Sequence, residues 1–194
     1  MKYWLPVAVL WVASVVAEPA PGAESAPSWK MLPDSSSLQF VFLQAGSDET
    51  GEFQEFEPVF HFDPKQLENS RFDVTVKMSS VDTGDGERDE ILLSGDMFGV
   101  SEWPTARFKT KSISHKEGNR YYAEAELTIR DRTRDIPFPF TLEVNDAGRP
   151  VFHLQAEVRL NRLDFGVGRG DWADTTWIKD PVTVKVDVKA RRDE

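Results

Sequence analysis

A chain of 194 residues with 40% hydrophobic and 29% charged side chains is long enough for one domain with a substantial core, short for two, and too apolar for wholesale disorder. Its formal net charge of −10 repels nucleic acid and anionic membrane surfaces alike, which excludes nucleic acid as a partner. The absence of cysteine removes disulfides, thiolate metal sites and lipid attachment at an N-terminal cysteine, so packing alone must hold the fold.

The chain opens Met1-Lys2-Tyr3-Trp4-Leu5-Pro6, and an apolar run over residues 7–17 follows. One positive charge, a short hydrophobic stretch, and Val15 and Ala17 at three and one before Glu18 read as a signal peptide over residues 1–17. The run falls well short of the ~20 residues that cross a bilayer. The expected location is therefore periplasmic or secreted, after cleavage. That cleavage removes Lys2 and no acid, taking the net charge from −10 to −11. Residues 18–28 are rich in Pro, Ala and acid and carry no large apolar side chain, which predicts a flexible tether.

From there the apolar positions recur every second residue. Leu38, Phe40 and Phe42 begin the pattern, and residues 59–62 continue it. Phe72, Val74, Val76 and Met78 then alternate with Arg71, Asp73, Thr75 and Lys77. Residues 106–113 and 121–129 follow, then Ile136, Phe138, Phe140, Leu142 and Val144, residues 152–160, and Val182, Val184, Val186 and Val188. Period two with one solvated face predicts antiparallel sheet. Roughly eight such runs suffice to close a barrel, and an open sandwich has the same local pattern. Pro137 and Pro139 lack amide donors and predict an edge, a bulge or a seam in their strand.

Residues 82–98 break the alternation. A polar turn leads into a short helical stretch with acids at its start and Gly95 as its expected stop. Ile91, Leu92, Met97 and Phe98 make it an apolar flap that must dock on the sheet. The acids Asp82, Asp85, Glu87, Asp89 and Glu90 lack the ordered spacing of a helix-loop-helix calcium site and read as a solvated turn. His61, His115 and His153 have no metal-ligand spacing. With no glycine-framed serine elbow and no metal pair, nothing points to catalysis, and no catalytic or metal-binding residue is assigned.

Several segments together resemble the YceI-like, polyisoprenoid-binding family. They are residues 29–40, Gly51-Glu52-Phe53-Gln54-Glu55-Phe56, Phe62-Asp63-Pro64, Ser79-Ser80-Val81-Asp82-Thr83-Gly84 with Arg88-Asp89, and Leu92-Leu93-Ser94-Gly95-Asp96-Met97-Phe98. Trp103-Pro104-Thr105-Ala106-Arg107-Phe108, Leu127-Thr128-Ile129-Arg130 and Leu163-Asp164-Phe165-Gly166-Val167-Gly168 complete the set, in the family's order over residues 29–190.

The resemblance implies an all-β, lipocalin-like, eight-stranded antiparallel β-barrel with a short helical flap. It also implies an exported carrier or storage protein enclosing an isoprenoid lipid, a polyprenyl phosphate or a quinone tail, as ligand and no cofactor. A transient membrane encounter and a homodimer are compatible with that role. The residues expected to line the cavity are Phe40, Phe42, Phe60, Phe62, Val74, Val76, Phe138 and Phe140, with Met97, Phe98, Phe165, Trp172 and Trp177 at the flap and mouth. Arg88 either meets a head group, pairs with Asp89 or caps the turn.

Two departures from the family pattern stand out. Arg130-Asp131-Arg132-Thr133-Arg134-Asp135 replaces a glycine-containing turn and is expected to change the charge of one rim, and Met97-Phe98-Gly99 is expected to loosen one wall. The alternative from another class is a ligand-free interaction or stress-response module whose barrel is filled by its own side chains, for which 13 phenylalanines supply the volume.

Overall fold

The computed structural model describes residues 26–145 and 147–193. The expected signal peptide, and residues 18–25 of the expected tether, lie outside the described residues. The described residues form eleven strands and one α-helix: β1 (Ser28–Met31), β2 (Ser37–Gln44), β3 (Ser47–Phe53), β4 (Phe56–His61), β5 (Arg71–Lys77), β6 (Val81–Asp82), α1 (Gly86–Leu93), β7 (Thr105–His115), β8 (Arg120–Ile129), β9 (Arg132–Asn145), β10 (Val151–Asn161) and β11 (Ile178–Arg192).

β1 pairs with β4 and β11, β2 with β11 and β3, β3 with β6, and β4 with β5. Hence β1 with β2, β3 with β4, and β5 with β6 each behave as one strand broken in its middle. The last two breaks face each other, with the Gln54 amide donating to the Ser80 carbonyl and the Lys77 amide to the Glu55 carbonyl, each at 3.0 Å. Counted this way, eight antiparallel strands follow one another in chain order, and β11 closes back on β1 and β2. The expected eight-stranded barrel is therefore the observed one, and closure removes the exposed edges an open sandwich would leave.

Pro137 and Pro139 mark a seam. Pairing of β9 to β8 stays in register through both prolines, whereas pairing of β9 to β10 stops at Phe140 and Ala156. The missing amide donors thus cost the β9 to β10 ladder.

Three local expectations change. Ala26 is buried and its carbonyl meets His61 Nδ1 at 3.2 Å, and the Pro27 carbonyl accepts from the Phe62 amide at 3.0 Å, so residues 26–28, expected in the tether, belong to the fold. The short side chains there let the backbone itself pair. Helix α1 ends at Leu93, with extended Ser94 as its cap and its amide on the Ile91 carbonyl, so Gly95 is not the stop. β3 carries almost no apolar alternation, because its central inward position is Gly51, over which the Phe40 ring lies where a Cβ would stand.

On the outer face, Arg107 of β7 forms a two-pronged ion pair with Asp73 of β5, Nε to Oδ1 at 2.9 Å. That hydrogen bond holds the Asp73 carboxyl below its ordinary range, against the opposing effect of burial. A carboxyl with a depressed folded pKa stabilises the fold above its unfolded pKa of about 4, and the contribution fades as pH falls through the folded value. Asp73→Asn should accordingly lower the urea midpoint at pH 7, with the gap to the parent protein closing as the titration moves into acid.

Candidate functional site

The barrel interior divides into two halves. At the end formed by the β4–β5, β7–β8 and β9–β10 turns, aromatic rings form a floor. Trp29 lies 5.0 Å from Phe152, Phe60 lies 5.2 Å from Phe72 and 5.3 Å from Phe152, and Tyr121 lies 5.5 Å from Phe62 and 5.4 Å from Phe140. Such contacts pack the end solid and add about 0.5–1.5 kcal/mol per pair beyond area burial.

Above the floor the same alternation continues without filling the space. On β11, Ala190 and Val188 are almost wholly buried, whereas Val186, Val184 and Val182, each facing the same way, are only partly covered. All three border a cavity of about 410 Å³ bounded almost entirely by apolar side chains, and Val186 also borders a more open pocket beside Pro139 and Ala156. That volume falls within the ~300–1,000 Å³ of small-molecule pockets. Leu38, Val74, Ile136 and Leu160 are likewise inward and partly covered.

The flap, the β2–β3 turn, the β8–β9 turn and residues 162–177 surround the opposite end. Helix α1 starts there because Asp85 caps it, its Oδ1 accepting from the Glu87 amide at 3.0 Å and the Arg88 amide at 3.1 Å. Leu92, Met97 and Phe98 are buried beneath it, and Phe98 lies 5.8 Å from Phe53. The wall at Met97-Phe98-Gly99 is thus tightly packed rather than loosened. Asp85→Ala removes the cap at a cost of about 1 kcal/mol. The measurable consequence is faster hydrogen exchange at the amides of α1, with the floor strands unchanged.

Of the residues expected at the site, Phe40, Phe42, Phe60, Val74, Val76, Arg88, Met97, Phe98, Phe138, Phe165 and Trp172 border the cavity. Phe62 and Phe140 belong to the floor. Trp177 is 70% exposed and lies outside the cavity, because the connection before β11 turns it to the surface while its carbonyl accepts from the Ala45 amide. Arg88 pairs with Glu49 at 3.1 Å and Asp85 at 4.0 Å. Its expected partner Asp89 instead accepts from the Thr83 amide and hydroxyl at 2.9 and 2.7 Å.

Two buried arginines are features that alternation does not reveal. Arg130 occupies the left-handed region with φ of 56° in the turn between β8 and β9. Its guanidinium lies 4.3 Å from the Trp103 ring and donates to the Met97 carbonyl, so it clamps the flap. Arg132 donates to the Leu163 carbonyl at 3.0 Å. The run 130–135 therefore contributes less to rim charge than expected, because two of its arginines serve as internal ties.

Arg162 continues the inward register of Leu154, Val158 and Leu160 one step further and is 6% exposed. Its Nη1 donates to Val167, Nη2 to Ile178 and Nε to Lys179, all backbone carbonyls, at 3.0, 3.0 and 3.2 Å. Burial pushes its pKa down, opposed by Asp180, and a guanidinium stays charged under such a shift. Gly168, at φ of 96°, leaves room for it, since a Cβ there would stand against Arg162 Nη1. The only signal for Arg162 in the sequence was its place two residues beyond Leu160.

Similar proteins share this architecture. BcnA of Burkholderia cenocepacia superposes with a TM-score of 0.78 at 26% identity, covering 82% of this chain and 99% of that one. A YceI protein of Campylobacter jejuni gives 0.69 at 25% identity, covering 76% and 87%. A polyisoprenoid binding domain from Saccharophagus degradans gives 0.65 at 16% identity over 88% and 100%, a likeness of fold.

Among curated sequences, a UPF0312 protein of Photorhabdus laumondii is 34% identical over 127 residues, 62% of this chain and 65% of that protein. Protein YceI of Salmonella arizonae is 34% identical over 126 residues, 60% and 62%. The matched stretch thus spans a little under two thirds of these relatives. The family model of the YceI-like domain matches residues 29–190, from the first strand to the end of the last. With the closed barrel, the apolar shaft and the flap all in that span, the chain belongs to the YceI-like family.

Proposed function

We propose that this protein is an exported carrier that holds one isoprenoid lipid, a polyprenyl phosphate or a quinone by class, with its tail in the shaft. The observation that carries the reading is the row Val182, Val184 and Val186, inward yet only partly covered, beside a cavity of about 410 Å³. An apolar surface left uncovered inside a closed barrel is unfavourable unless something fills it. The filled-barrel alternative describes the aromatic floor and stops there. The cavity lining includes no histidine, and its acids Asp85 and Glu87 lie on the flap, Asp85 as helix cap, so the site favours holding over reacting. The fold-level likeness to a polyisoprenoid binding domain agrees with this reading.

Each five-carbon unit transferred from water contributes on the order of 3–4 kcal/mol at about 0.8 kcal/mol per CH₂. A membrane solvates the tail about equally well, so burial favours pick-up and hand-over rather than permanent capture, and selectivity falls to the mouth. Export rests on residues 1–17 as a signal peptide. Native mass spectrometry of the protein purified from its own host should show a bound lipid mass that extraction identifies as prenyl. Empty protein that also refuses added prenyl lipids would overturn the proposal.

A further inference from the structure

At the mouth, the inward register changes from apolar to polar on the two strands that flank β11. On β2 it runs Leu38, Phe40, Phe42 and then Gln44, and on β10 it ends Val158, Leu160 and then Arg162. Between them lies Ile178 of β11, the strand partner of Gln44, whose carbonyl accepts from Arg162 Nη2.

Both polar groups have capacity to spare. Arg162 donates to three backbone carbonyls, and Asp180 attracts it without a hydrogen bond, which leaves one N–H on each terminal nitrogen unused. Gln44 Oε1 is buried with no hydrogen-bond partner, a state that costs roughly 1–3 kcal/mol for a lone polar group. Arg88, by contrast, is held in direct ion pairs by Glu49 and Asp85. A buried cation and an orphaned acceptor at one level, both bordering an apolar shaft, form a polar collar.

We propose that Arg162 and Gln44 bind the head of the lipid and select a hydroxyl-bearing oxyanion, a phosphate monoester in chemistry, over a neutral head. The inference rests on the carrier reading above and adds the orientation of the guest, tail towards the aromatic floor and head at the collar. The phosphate accepts from Arg162 and, as its monoanion, donates its remaining P–OH to Gln44 Oε1. If the amide is turned end for end, Gln44 donates instead and the phosphate accepts.

Arg162→Met would leave three buried carbonyls without donors and is a poor test, because the mouth itself would loosen. Gln44→Glu keeps the shape and keeps Arg162, but places a fixed carboxylate in the collar. The probes are geranylgeranyl monophosphate, geranylgeraniol and inorganic phosphate, followed by competition against a fluorescent prenyl lipid. The parent protein should prefer the prenyl phosphate to the alcohol by about ten- to hundredfold, the range of a hydrogen bond to a charged group. Gln44→Glu should lose that preference, and Gln44→Leu should fall between them.

Equal affinity of the parent protein for phosphate and alcohol, or an unchanged preference in Gln44→Glu, would overturn the collar while leaving the carrier reading intact. Displacement by millimolar inorganic phosphate alone would overturn it as a lipid-head site. Failure of every prenyl probe to bind the parent protein would instead strike the carrier reading itself.

Discussion

Val184→Trp should fold as stably as the parent protein and should bind prenyl lipids at least a hundredfold more weakly. Val184 lies midway along the shaft, directly across from Phe40 on β2 and Val158 on β10, and faces the cavity. An indole there occupies space that is empty of protein atoms, so it gains contacts instead of displacing them. Had the barrel been filled by its own side chains, the same substitution would be overpacked and cost about 1–3 kcal/mol. Thermal unfolding and lipid titration on one sample therefore separate the two architectures. A destabilised protein, or one that still takes up lipid unaltered, would contradict an open shaft.

Trp29→Ala should have the largest effect on stability, about 3–5 kcal/mol, the usual cost of truncating a buried large aromatic side chain. For a domain of this size that is a drop of roughly 6–20 °C in Tm. The reason lies in where the residue sits. β1 is a four-residue strand that joins β4 to β11, and so it alone seals the barrel at the floor end. Trp29 anchors it with its ring 5.0 Å from Phe152 and its Nε1 donating to the Phe62 carbonyl at 3.0 Å. Trp29→Phe keeps most of the packing and loses only the hydrogen bond, so it should cost about 1–2 kcal/mol. Equal loss in both variants would mean that the bond, and not the aromatic floor, holds the seam.

Alternation made most of the wall legible. Strands β5, β9, β10 and β11 carry one apolar and one polar face, and a solvated outer face leaves no other arrangement for them. The paired breaks that turn eleven short strands into eight were not legible, since they depend on Gln54 and Glu55 of one strand meeting the 78–80 turn of another. β3 was hidden for a related reason. Its inward centre is a glycine whose missing side chain is supplied by Phe40.

The site divides along the same line. Phe40, Phe42, Val74, Val76 and Phe138 could be named as inward residues from period two, and they do border the cavity. Phe62 and Phe140 share that signature yet form the floor, because height along the barrel axis is set by register between strands and not by alternation within one. Arg88 could be flagged, but its partner Glu49 comes from β3, a strand that alternation did not show.

By itself the sequence determined that the chain forms antiparallel strands with one apolar face, that a helical flap interrupts them, and that the family pattern runs from residue 29 to 190. Each is a local property, written in side-chain order and turn chemistry. Only the tertiary structure decided that the lower half of the barrel is solid and the upper half open, and that Arg162 and Gln44 border the same cavity. Those outcomes depend on which side chains reach the axis at the same height, a relation among strands far apart in the chain.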